Sequence, residues 1–206
     1  DQTFYLFRHM SILEYNGGSV LAMKGKNCVV IGSDTRYGLQ AQTIATDFPK
    51  TFKMTDQCYV GLVGLATDVQ TIRERLQFRL KLYSLKEERE MEPVVVGNVI
   101  SSILYERRFG PYFVEPVVAG LQGPEKKPYI CAMDLIGAPV FADDFVVSGT
   151  SAQALYGLAE TLYKPDMDEE DLFETVSQCL LAAVNRDAVS GWGASVTIIT
   201  PDRIIT

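Results

Sequence analysis

Residues 15–36 read YNGGSVLAMKGKNCVVIGSDTR. Two strand-like runs, SVLAMKG (19–25) and NCVVIGS (27–33), meet at Lys26-Asn27, and Gly25 supplies the backbone freedom of a tight turn. The pair therefore predicts an antiparallel hairpin. Ahead of it stand Gly17 and Gly18, which mark either a simple turn or a place where a more consequential residue is missing.

Outward from this hairpin, residues 34–49 read as polar and irregular, and QCYVGLVG (57–64) as a buried strand. From Ala66 the period changes. Val69, Ile72, Leu76, Leu80 and Tyr83 recur every three or four residues, which predicts an amphipathic helix with Thr67 as its cap. Pro93 opens a second helix, with Val96, Ile100, Ile103 and Leu104 on one face and an end near Arg107-Arg108. Strands resume in YFVEPVVAGL, KKPYICAMDL and DDFVVSG. Helices follow at about 151–163 and 168–185, the latter opening on acids that suit the positive end of the helix dipole. ASVTIIT and RIIT close the chain around Pro201-Asp202. Grouped strands separated by helix pairs predict an α+β chain, a four-layer αββα sandwich with helices on both outer faces. Residues 11–206 read as one domain, preceded by an extension at 1–10.

Composition narrows the function. With 47% hydrophobic and 22% charged residues the chain is globular, and no apolar run reaches the length of a membrane span. Residues 1–10 lack the basic start and long apolar core of a secretory signal. The formal charge of −7 argues against nucleic-acid binding, which needs clustered Lys and Arg. Cys28, Cys58, Cys131 and Cys179 are widely spaced in apolar contexts and read as buried thiols in a reducing compartment. His9 is the single histidine. A Ser-His-Asp or Cys-His site, or a histidine metal site, can hardly be built from it.

Other patterns have plain structural readings. The acids of 166–171 lack the central glycine and final glutamate of a calcium loop and fit helix capping. Asp143-Asp144 are adjacent at a strand start and face opposite ways. Gly61, Gly64, Gly149 and Gly157 form no phosphate loop. The aromatic-basic stretch YERRFGPYF (105–113) mixes residue types enriched at interfaces, and reads equally as a loop tucked on its own domain.

Longer motifs carry a resemblance. VVIGSDTRYG, VGLVGLATDV and NRDAVSGWGA resemble strand, helix-start and loop segments of proteasome beta subunits, which have the N-terminal nucleophile hydrolase fold. YNGG, LYERRFGPYFVEPVVAGL, DLIGAPV and DDFVVSGT resemble one non-catalytic type among them. The resemblance covers residues 11–206. In active members a threonine begins the mature chain. Its hydroxyl attacks the peptide carbonyl and its free α-amine takes the proton, aided by a lysine, an aspartate and an oxyanion-binding N–H.

Carried across, the resemblance places the aspartate at Asp34, the lysine at Lys50, the oxyanion N–H at Gly64, and the auxiliary residues at Ser148, Asp187 and Ser190. It places the nucleophile at Gly18. Glycine has no hydroxyl, so it can neither attack a substrate nor cut the preceding peptide bond, and the amine stays locked in an amide. Ser19 is the alternative nucleophile of an active peptidase. Strand alternation turns it to the opposite face from Gly18, away from Lys50. Without a nucleophile, Asp34 and Lys50 read as a structural ion pair, and the Asp187–Ser190 loop as a brace on a helix end. No cofactor or metal is expected, although backbone carbonyls of that loop are of a type that can hold a cation.

The resemblance further implies a structural subunit of the 20S core particle in ubiquitin- and ATP-dependent protein degradation. Its partners would be other alpha and beta subunits, stacked as four seven-membered rings in cytoplasm and nucleus, with no nucleic acid and no membrane. It tilts Arg107, Arg108, Phe109 and Tyr112 towards an interface, and places Asp134 where beta subunits reach into a neighbour's specificity pocket. A third reading is a free-standing binding domain that keeps the empty cleft as a ligand pocket.

Overall fold

The structure, a computed structural model, describes residues 11–206. The extension at 1–10, with His9, lies outside the described residues. β1 (Ser19–Lys24) and β2 (Val29–Asp34) form the expected hairpin, with Ala22 opposite Ile31. Both of its faces are buried. Val20, Ala22 and Ile31 point to the space between two sheets, whereas Leu21, Met23 and Val30 pack beneath helices. A strand covered on both sides needs apolar residues at successive positions, which explains the nearly unbroken run.

The remaining strands are β3 (Tyr37–Leu39), β4 (Gln42–Ala45), β5 (Thr51–Thr55), β6 (Cys58–Gly64), β7 (Val114–Gln122), β8 (Lys127–Met133), β9 (Pro139–Phe141), β10 (Phe145–Gly149), β11 (Ala194–Ile199) and β12 (Ile204–Ile205). One five-stranded sheet runs β10-β1-β2-β11-β12 and the other β5-β6-β7-β8-β9, with all neighbours antiparallel. Helices α1 (Ala66–Glu87) and α2 (Pro93–Tyr105) cover the second sheet, and α3 (Ala152–Leu162) and α4 (Glu169–Val184) cover the first. The result is the four-layer αββα sandwich with three apolar layers. Each fully buried Val, Leu or Ile contributes about 1.5–3 kcal/mol, so packing rather than helix propensity holds α1, whose buried stripe is Val69, Ile72, Leu76 and Leu80.

Several local expectations need correction. Residues 34–49 are not irregular throughout, because β3 and β4 pair there as a small hairpin. β5 and β9 are further short strands, both at sheet edges. The α2 helix stops at Tyr105, before the two arginines. Thr67 does not cap α1; Leu65 occupies the cap position and makes no side-chain bond. Asp168 does cap α4, accepting from the Glu170 and Asp171 backbone N–H groups. Asp143 and Asp144 lie just outside β10, with Asp143 paired to Lys24 at 3.2 Å. All four cysteines are free and buried. Burial pushes each thiol up, Cys179 to about 11. No described helix is long and apolar enough to cross a membrane.

Candidate functional site

The end of β2 and the residue just before β5 bring two charges together almost entirely out of solvent. Asp34 is fully buried and Lys50 nearly so, with Nζ 2.9 Å from Asp34 Oδ1. The ammonium also donates to the backbone carbonyls of Asp34 and Arg36, at 3.2 and 2.7 Å. Burial holds it below the ordinary lysine range, with Asp34 pulling the other way. Asp34 in turn accepts from three backbone N–H groups: Ser19 at 2.9 Å, Arg36 at 3.3 Å and Gly191 at 3.0 Å. One carboxylate thus ties β1, β2, β5 and the loop before β11. This saturation is what a buried ion pair needs to offset its desolvation.

Gly18 stands beside the lysine stem. A Cβ placed on it would lie 2.6 Å from Lys50 Cε and 3.0 Å from Cδ, and its φ is +134°. The volume next to Gly18 is therefore already filled by Lys50. The Gly18 nitrogen is part of the peptide bond to Gly17, and its carbonyl accepts from the Thr150 N–H at 2.9 Å. Ser19 faces the other way, as strand alternation predicts. Its hydroxyl is buried at the start of α3, accepting from the Ser151 N–H and sharing a hydrogen bond with the Ser151 hydroxyl. It makes no hydrogen bond to Lys50, so the only hydroxyl next to Gly18 in sequence is not poised for proton transfer to that amine.

Asp187 and Ser190 meet in the loop before β11, with the Ser190 hydroxyl donating to Asp187 Oδ2 at 2.6 Å. Ser148 is not part of that contact: its hydroxyl donates to the Glu115 backbone and carboxylate oxygens, each at 3.2 Å. The second hydroxyl on Asp187 Oδ2, beside that of Ser190, belongs to Thr150. Gly64 ends β6 at φ +126°, where a Cβ would lie 2.2 Å from the Phe113 carbonyl oxygen. Among the described residues, no three His, Cys, Asp or Glu side chains cluster as a metal site requires.

The comparison with known proteins decides the family. The proteasome subunit family model matches residues 14–199. Proteasome subunit beta type-3 of Dictyostelium discoideum is 58% identical over 197 residues, 96% of both chains. Proteasome subunit beta type-3-A of Arabidopsis thaliana is 59% identical over 195 residues, 95% of both chains. The chain belongs to the proteasome subunit family. Probable proteasome subunit beta type-3 of Schizosaccharomyces pombe is 53% identical over 196 residues, 95% of this chain and 96% of its own.

In this proteasome subunit, Arg36 is a central residue that sequence reasoning missed. Its guanidinium is buried without a carboxylate partner, yet each of its three nitrogens donates a hydrogen bond. It donates to the Val189 carbonyl at 2.7 Å, the Gln40 carbonyl at 3.0 Å and the Thr43 hydroxyl at 2.9 Å. Asn16 is the second omission, and Thr150 the third. Of the exposed candidates, Phe109 is 98% exposed beneath the Arg108 guanidinium, and Arg107 is exposed beside it. Tyr112 instead packs partly on the core, under Arg75. Asp134 is exposed, and its Oδ1 accepts from the Ile136 and Ala138 N–H groups, which fixes the turn into β9.

Proposed function

We propose that this chain is a non-catalytic beta subunit of the 20S core particle, with Gly18 at the position of the nucleophilic threonine. The observation that carries the reading is the filled volume beside Gly18: the lysine stem lies where a nucleophile's side chain would project. The Gly17-Gly18 peptide bond stays uncut, so nucleophile and α-amine base are absent together. Asp34, Lys50, Asp187 and Ser190 then serve as structure, tying β1, β2, β5 and the 187–191 loop into one body. Gly64 keeps only the backbone turn at the end of β6, and Ser148 braces the two sheets through Glu115.

The subunit's work is architectural. It completes a seven-membered ring within a stack of four, helps enclose the degradation chamber, and acts in cytoplasm and nucleus in ATP- and ubiquitin-dependent protein breakdown. Large apolar side chains left in the open support burial against neighbours. Phe109 is the extreme case, and Phe78 and Leu85 on α1 are 68% and 81% exposed. Arg107, Arg108 and Phe109 form the leading edge of one interface, and Asp134 shapes a neighbour's pocket.

Purification of the endogenous chain tests this directly. It should elute in a particle of hundreds of kilodaltons together with other alpha and beta subunits, and Phe109→Asp should reduce its incorporation several-fold. Elution as a free monomer near the chain mass of 22.9 kDa would defeat the proposal and leave the free-standing binding domain.

A further inference from the structure

Helix α1 begins without a cap of its own. Leu65 stands at the cap position with no side-chain oxygen to offer, yet the first N–H groups of any helix need acceptors. The acceptor comes from 50 residues upstream: the Ala66 N–H donates to Asn16 Oδ1 at 2.8 Å. The other end of the same amide is equally committed, with Asn16 Nδ2 donating to the Gly38 carbonyl on β3 at 2.9 Å. Asn16 is only 5% exposed, and its two partners, one a donor and one an acceptor, fix the amide's orientation.

The residues around Asn16 are held with it. The Tyr15 carbonyl accepts from the Gln40 N–H at 2.7 Å. Gly17, at φ +71°, passes so close to the Val189 carbonyl that a Cβ would lie 1.8 Å from its oxygen. Only about 10 Å³ remains open between Asn16, Gly17, Lys50, Val63 and Gly64, no more than one water needs. Immediately outside, a groove of about 640 Å³ runs along α1, lined by Tyr37, Phe48, Phe52, Ala66 and Gln70.

We infer that Asn16 is a long-range cap that latches the segment before β1 into the cleft, making Asn16-Gly17 a resident plug between the outer groove and Lys50. The latch joins both walls, β3 and the start of α1, so losing it loosens the walls as well as the plug. This holds whether or not the subunit hydrolyses anything.

Hydrogen exchange read by mass spectrometry on the full chain, in whatever assembly it occupies, tests the latch. Asn16→Ala removes both bonds and should speed exchange on the order of tenfold at residues 66–69 and at 38–40, with faster proteolysis between Tyr15 and Ser19. Asn16→Asp keeps an acceptor at the positive end of α1 but loses the donor to Gly38. It should leave 66–69 within about twofold of the parent while 38–40 loosens. If Asn16→Ala does not accumulate, the Asn16→Asp pattern alone decides. The inference is overturned if Asn16→Ala leaves both segments unchanged, or if Asn16→Asp loosens 66–69 on the order of tenfold.

Discussion

Asp34→Ala should cost about 3–5 kcal/mol of folding stability, because it strands a lysine ammonium that is almost fully buried. In a chain of this size that is a fall in melting temperature on the order of 10 °C. The carboxylate has four partners, three of them backbone N–H groups from separate parts of the fold. Alanine leaves the three N–H groups without an acceptor and the ammonium with only the Asp34 and Arg36 carbonyls and no counter-charge. Removing the lysine as well relieves the worst of this. Asp34→Ala/Lys50→Met should therefore be destabilised by less than the sum of the single changes, by more than about 1 kcal/mol.

The pH dependence has a definite sign. Burial holds Lys50 below its ordinary value of 10.5, so across the window just below 10.5 the unfolded chain binds more protons than the folded one. Stability from this group rises with pH there and is lost as pH falls through the folded value. Asp34 opposes the depression, so its removal deepens it. The deficit of Asp34→Ala relative to the parent should be largest near neutrality and narrow as pH approaches 10.5. Denaturant titrations at several pH values measure it. A pH-independent deficit under 1 kcal/mol would show that the pair is not the keystone the geometry describes.

Gly18→Thr, the change that restores a hydroxyl at the nucleophile position, should yield neither peptidase activity nor self-cleavage. It should instead destabilise the chain by about 2–4 kcal/mol. Two independent obstacles act. A φ of +134° is a conformation that side-chain-bearing residues rarely adopt, and the new Cβ would overlap a lysine stem whose ammonium is pinned by Asp34 and two carbonyls. Moving the stem breaks those bonds; moving the backbone breaks the Ser19 N–H bond to Asp34. Gly18→Ala should lose nearly as much stability, since the obstacle is the Cβ and not the hydroxyl. A Gly18→Thr chain as stable as the parent, or one with a new N-terminus at residue 18, would contradict this.

How much of this was legible differs by element, for physical reasons. The β1–β2 hairpin and the four helices declared themselves because burial on two faces, or on one helical stripe, demands apolar residues at set spacings. β9 did not, because its three residues are all exposed at a sheet edge and need no apolar pattern. β3 and β4 were hidden likewise: backbone pairing makes them strands, while they are only three and four residues long and all their residues but Gly38 are at least partly exposed. The α1 cap was assigned to nearby Thr67, since sequence rules see only local acceptors, whereas the true acceptor arrives from Asn16.

At the site, Asp34, Lys50, Asp187 and Ser190 were placed by motif, and the fold brings them into two linked clusters. Ser148, matched by motif to an auxiliary serine, bonds to Glu115, and beyond Gly149 (φ +99°) it is Thr150 that bonds to Asp187. Arg36 had no signal at all. Arginine is a surface residue by default, and its burial depends on three oxygens that the folded loops supply.

The most direct measurement is the intact mass of the endogenous chain recovered from its assembled particle. The account predicts a chain that runs unbroken through Gly17-Gly18, carrying the segment that Asn16 latches into the cleft. A homogeneous chain beginning at Gly18 or Ser19 would contradict it, because only cleavage at this site could free that end.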